Sequence, residues 1–163
     1  MSVSITYPKL KLAAQLREAG GQSVADSLEA ADANLEALRP TALDELRTAV
    51  AAAAAAFQRL PDGFDAEALQ GLYAIAARAV GIGAVSGAPG ADAALVSLCD
   101  LLDRLANKTR WDREAIGVHV RTLQLLAWQG DVLDEAATQH VLDGLRKVSA
   151  RYADPPAVAA AAG

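Results

Sequence analysis

The sequence predicts an all-α protein, an up-down bundle of helices, from three observations. Hydrophobic residues make up 53% of the 163 positions while aromatics make up 4%, because alanine and leucine supply most of the apolar mass. Those two residues are strong helix formers, whereas sheets draw on Val, Ile, Thr and aromatic side chains. Apolar residues also recur three and four apart along most of the chain, the period of one helix face. Gly and Pro fall mostly between the periodic segments, as punctuation.

Taken in order, residues 1–22 read as an irregular arm and a short helix over 8–19, begun at Pro8, carrying Leu10, Leu12 and Leu16, and ended by Gly20-Gly21. Ser23 and Asp26 form an S-x-x-D start signal for a helix over 24–38, with a seam at Val24, Leu28, Ala31, Leu35 and Leu38. Arg39-Pro40 is expected to break the chain. Thr41 with Asp44 then starts a helix over 42–60, with a matching seam at Leu43, Leu46, Val50, Ala53, Phe57 and Leu60. Two seams joined by so short a link predict an antiparallel helical hairpin.

Pro61-Asp62-Gly63 is a turn, and Phe64 stands as a staple residue before the N-cap Asp65. The next stretch, Glu67 to Val85, is the most apolar of helical length. Glu67, Gln70 and Arg78 share one narrow sector, with Leu69, Leu72, Ala76, Ala79 and Val80 opposite. A helix of this kind is expected in the middle of the bundle. Gly81 and Gly83 loosen its end, and a loop over 86–90 follows.

A helix over 91–107 places Leu95, Leu98, Leu102 and Leu105 on one seam and ends in the basic turn Asn107-Lys-Thr-Arg110. Asp112 caps a helix over 113–128 with Ile116, Val120, Leu123 and Ala127 inward, stopped at Gly130. Asp131 or Asp134 opens the last helix, 132–152, with Ala137, Val141, Leu142, Leu145 and Val148 inward. Asp154-Pro-Pro ends regular structure before an alanine tail expected to be mobile. The organisation is therefore an arm over 1–22, one domain over 23–153 (hairpin 23–60, bundle core 65–153) and a tail over 154–163.

A formal net charge of −5 and a sequence pI near 4.9, with no basic stripe, argue against nucleic-acid binding. Cys99 is the single cysteine and has no intramolecular disulfide partner, which fits a reducing compartment. The start MSVSITYPKLKL lacks the apolar core of a signal peptide, and the run Ala49–Phe57 is too short to span a bilayer. The expected location is the cytoplasm, with no membrane insertion.

The residues that could carry chemistry have plain structural readings beside the functional ones. Gly81-Ile-Gly83-Ala-Val-Ser-Gly87 lacks the glycine a dinucleotide loop needs at Ser86, has no strand before it and no P-loop lysine after it. It reads as a helix end and a flexible connection. Neither His119 nor His140 has a carboxylate three residues before it, as bundle di-metal sites require. Glu29, Asp32 and Glu36 form a stripe that reads as a solvated face, so no metal or cofactor is expected. Cys99 sits among Val96, Leu98 and Leu101, where a thiol is inert, and no orienting partner makes it a nucleophile with His119. His119 is phased with Ile116, Leu123 and Leu126 and is expected to be packed and hydrogen-bonded at the core boundary.

His140 is phased away from Val141, Leu142 and Leu145 and should be exposed. His140-Val-Leu-Asp-Gly144 partly matches the H-x-L-K-G pattern of histidine phosphotransfer (HPt) domains, in which the lysine neutralises the incoming phosphoryl group. Asp143 stands where that lysine would be and sets a like charge beside a phosphate. His140, and less so His119, are the candidate phospho-acceptors.

Leu72-Tyr-Ala-Ile, Ser97-Leu-Cys-Asp-Leu-Leu and Val118-His-Val-Arg-Thr-Leu-Gln-Leu-Leu126 resemble successive helices of HPt-like proteins of bacterial signalling. Lys11-Leu-Ala-Ala-Gln-Leu-Arg-Glu-Ala-Gly-Gly, Val24-Ala-Asp-Ser-Leu and Ala33-Asn-Leu-Glu-Ala-Leu-Arg resemble small bacterial chemotaxis proteins of the CheE type. The resemblance implies an HPt-like four-helix core. On the helix where an HPt domain presents its histidine, this chain has Tyr73 and Ala77 and no histidine. It therefore implies a degenerate member that keeps a binding surface for a receiver domain or another signalling partner, with Tyr73 and Arg78 as candidate contacts.

The leading expectation is a non-catalytic, cofactor-free interaction module with a groove or flat face beside the 67–85 helix. The alternatives are an active phosphotransfer protein using His140 or His119, with an exposed imidazole near a cation, and a structural subunit that forms a homodimer through the 24–60 hairpin.

Overall fold

A computed structural model describes residues 23–129 and 132–153. The expectations for the 8–19 helix, Gly130, Asp131 and the tail lie outside the described residues. The protein is an all-α helical bundle: among the described residues there are six helices and no strand. They are α1 (Val24–Gln58), α2 (Ala66–Ala79), α3 (Ile82–Ser86), α4 (Pro89–Asn107), α5 (Arg113–Gln129) and α6 (Glu135–Ala150). The chain divides into two compact units, Met1–Glu36 and Ala37–Gly163.

The expected hairpin over 23–60 is not formed. Val24 to Gln58 is one helix with Pro40 inside it. Proline removes one helix hydrogen bond and crowds the preceding turn, which bends or breaks a helix. Leu38-Arg39-Pro40-Thr41 offers no glycine for a left-handed cap, a common way to end a helix. The Ala, Leu, Glu and Arg residues on both sides are strong helix formers, so propagation through the proline wins. Thr41 and Asp44 accordingly lie within the helix and start nothing.

Within the first unit, Asp26 N–H donates to Ser23 Oγ (3.0 Å) and Ser23 N–H to Asp26 Oδ2 (3.3 Å), a reciprocal cap at the start of α1. Every described residue of this unit is exposed, including Val24, Leu28, Ala31 and Leu35.

In the second unit, α4 occupies the middle of the bundle and packs against α2, α3, α5 and α6. Ala91, Ala94, Leu95, Leu98, Leu101, Leu102 and Leu105 are all buried on it. This corrects the expectation that the 67–85 stretch is central. That stretch is apolar largely through alanine, and Ala74 and Ala77 stay exposed at little cost because a methyl group has little area to hide. α2 buries Leu69, Leu72, Ala76 and Ala79 and leaves Val80 42% exposed at its C-cap. The later part of α1 contributes Leu46, Val50, Ala53 and Phe57, the expected seam. Gly117 on α5 permits that packing, because a Cβ there would lie 2.9 Å from Phe57 Cζ.

The helix starts follow the sequence signals. Asp65 accepts from Glu67 and Ala68 N–H, Asp112 from Ala115 N–H, and Asp134 from Ala137 N–H. Basic groups from the end of α4 also reach a second helix. Arg104 Nη1 donates to the Ser149 carbonyl (3.0 Å) and Lys108 Nζ to that of Tyr152 (2.8 Å), so they satisfy the open C-terminus of α6. Tyr152 closes this clasp by donating its hydroxyl to Asp112, beneath the Arg110 guanidinium. Burial and that carboxylate push the Tyr152 phenol up to about 12. Burial raises the Asp112 carboxyl, but the hydrogen bonds it accepts, foremost from Tyr152, outweigh burial and leave it below the usual carboxylate range.

Candidate functional site

His119 is fully buried on α5. Its Nδ1 lies 2.9 Å from the Ala115 carbonyl, an acceptor only, so Nδ1 carries the proton. Nε2 is then an acceptor, 3.1 Å from Ser97 Oγ on α4 and 3.2 Å from Ser149 Oγ on α6. The two serine oxygens are 3.4 Å apart. Burial outweighs the Ala115 hydrogen bond and lowers the imidazole's pKa, which favours the neutral ring. A serine beside a neutral imidazole has the form of a nucleophile and its base. Here Ser97 lies mid-helix, where backbone N–H groups are spent on helix bonds, so its own turn offers no oxyanion donor. A ring without solvent access also presents no nitrogen to an incoming aspartyl phosphate.

His140 is exposed on α6. Asp143, one turn on, accepts from Gln139 Nε2 (3.0 Å) and from Arg146 Nη1 (2.6 Å). The two histidines are therefore in different settings, one sealed between helices and one at the surface. Cys99 is half-buried; burial, then the Asp100 charge, raises its thiol pKa. His119 spends both nitrogens on Ala115, Ser97 and Ser149, and Cys99 is not among its partners.

The glycine cluster is organised around a carboxylate of the chain itself. Asp92, in the first turn of α4, accepts from Gly81 N–H (2.9 Å), Gly83 N–H (2.9 Å) and Ala84 N–H (2.7 Å). Gly81 has a φ of 95°, and a Cβ on Gly83 would lie 2.7 Å from the Ala88 carbonyl oxygen and 2.8 Å from Asp92 Cγ. The expected flexible connection is thus the short helix α3, its amides already holding an anion. Nothing in the sequence pattern singled out Asp92, because its partners lie eight to eleven residues back.

A groove of about 830 Å³ lies between α1 and α2. Ala49 and Ala52 of α1 face Ile75 and Ala79 of α2 across it, with Asp44 and Glu45 on one wall and Arg78 on the other. Asp44, Glu45 and Arg78 are exposed and make no ion pair or side-chain hydrogen bond among the described residues. At one end lies a smaller hollow of about 340 Å³, lined by Leu38, Ala42, Val80, Ile82 and Val85. Of the two expected contacts, Arg78 lines the groove, while half-buried Tyr73 packs against the core. Among the described residues no group of three or more His, Cys, Asp or Glu could hold a metal ion, and no helix is long and apolar enough to cross a membrane.

No family model matches the chain, and no curated protein or solved structure does either.

Proposed function

We propose that this chain is a non-catalytic interaction module of bacterial chemotaxis or two-component signalling, which presents a helix face to a receiver domain or another signalling partner. The observation that supports this most is the open α1–α2 groove, with Arg78 on its wall and three charged side chains left for a partner. The link to signalling comes from the resemblance of the helical segments to HPt-like and CheE-type proteins. On this reading the function lies in binding, and α2, which lacks a histidine, takes no phosphoryl group. The setting is the cytoplasm, where receiver domains work.

Phosphoryl transfer from a phosphorylated receiver domain to the wild type, His140→Gln and His119→Gln tests the reading. The expected result is no label on any of the three, with the receiver co-eluting on a sizing column. Label that disappears in His140→Gln would replace the adaptor reading with active phosphotransfer; exposure of that ring is the main feature in its favour. Absence of both label and co-elution would end the receiver proposal.

A second reading, self-association as a structural subunit, is favoured by one separate observation. Among the described residues the apolar seam at the start of α1 is exposed, and α1 does not turn back to cover it.

A further inference from the structure

We infer that the α1–α2 groove takes an amphipathic helix with a cationic flank, supplied by a partner protein; this rests on the adaptor reading and names the chemistry of the partner. The groove floor is made of small side chains, Ala49, Ala52 and Ala79, which let another backbone come close. Ile75 adds apolar surface, and the hollow at Val80 and Val85 has room for one bulky apolar anchor. That is the layout of helix-in-groove recognition, in which anchors at i, i+3 or i+4 and i+7 fill successive positions.

Charge settles the class of helix. Asp44 and Glu45 stand together on the α1 wall, with no cation paired to either among the described residues. Arg78 stands on the α2 wall, also unpaired. A helix lying between the walls meets net negative charge on one flank and a single positive charge on the other. Lys or Arg toward α1 satisfies the first, and one acidic residue toward α2 satisfies the second. The start of α1 in a second copy is a poor occupant, because it carries Asp26, Glu29, Asp32 and Glu36 beside its apolar seam.

The test uses the full chain, isotopically labelled, and two synthetic helical peptides of about 18 residues. Both have Leu at i, i+3 and i+7; one has a Lys flank and the other Glu at the same places. The Lys-flanked peptide should shift amides over 41–52 and 75–85 and bind about tenfold more tightly than its counterpart. The double variant Asp44→Lys, Glu45→Lys should reverse that preference, with an unchanged circular dichroism spectrum because both sites are exposed. Equal binding of the two peptides, shifts confined to other helices, or concentration-dependent shifts at these amides without peptide would each overturn the inference. Receiver co-elution is measured on the same samples. Receiver retained without a peptide preference sinks this inference alone; peptide preference without receiver binding supports the groove's chemistry while the receiver reading falls.

Discussion

His119 ties three helices together through two ring nitrogens, and its pH dependence follows from that geometry. The buried ring is held neutral, with its pKa below the ordinary 6.5. The unfolded chain therefore binds the proton first as the pH falls. Stability from this group is fully present above about pH 6.5 and is lost as the pH drops through the folded-state value. Urea unfolding of the wild type should show a lower midpoint at pH 5.5 than at pH 7.5. His119→Gln should be less stable at both by about 1–3 kcal/mol, with that acid-side difference reduced, because the serine bonds are lost along with the titrating ring. An equal acid-side drop in the variant would show that His119 does not carry it. Asp92 poses a simpler question. Asp92→Ala leaves three amides without their carboxylate and should cost about 1–3 kcal/mol, with Asp92→Asn costing less because one acceptor oxygen remains. A urea midpoint unchanged by Asp92→Ala would mean that water replaces the carboxylate at no cost.

At the scale of elements, Pro40 separates what was legible from what was not. Inside a continuous helix it forfeits a hydrogen bond, so Pro40→Ala should raise stability by about 1–3 kcal/mol. Were residues 38–42 a turn, as the dipeptide Arg39-Pro40 suggested, the same change would leave stability unchanged or lower it, and a thermal melt decides between them. Local sequence reads proline as a break, but whether a helix resumes in line also depends on the strong helix formers on both sides of it. The inward seams were readable wherever large side chains marked them: Leu46 to Phe57 on α1, Leu95 to Leu105 on α4, and Ile116 to Ala127 on α5. Alanine misled, because it fits a core and a surface equally well, and it gave the 67–85 stretch a central place that α4 holds. Of the site, Arg78 was visible as a polar position on an apolar helix. Ser97, Ser149, Asp44 and Glu45 were not, since their significance comes from neighbours on other helices or across a groove that no spacing rule encodes.

On the scale of the whole molecule, the two units differ in how they treat apolar surface. The second unit buries most of its leucines, Leu38 being 55% exposed, whereas the described part of the first leaves Val24 78%, Leu28 61% and Leu35 51% exposed. These residues, with Ala31, alternate four and three apart, the spacing by which a paired helix buries a continuous seam. A hairpin in the same chain would have covered them; an unbroken α1 does not supply one. Leaving such side chains in water forgoes on the order of 1.5–3 kcal/mol for each one that could be fully buried, a driving force for pairing between copies. Sedimentation equilibrium should therefore show association that grows with protein concentration, weakened by Leu28→Lys or Leu35→Lys. Both positions are exposed in the single chain, so at dilutions where the wild type is itself monomeric the variants should keep its melting curve, and a loss of association would then report the contact and not misfolding. A wild type that stays monomeric to about millimolar concentration, where even weak pairs with −4 kcal/mol of binding free energy are half formed, would leave this seam without a self-association role.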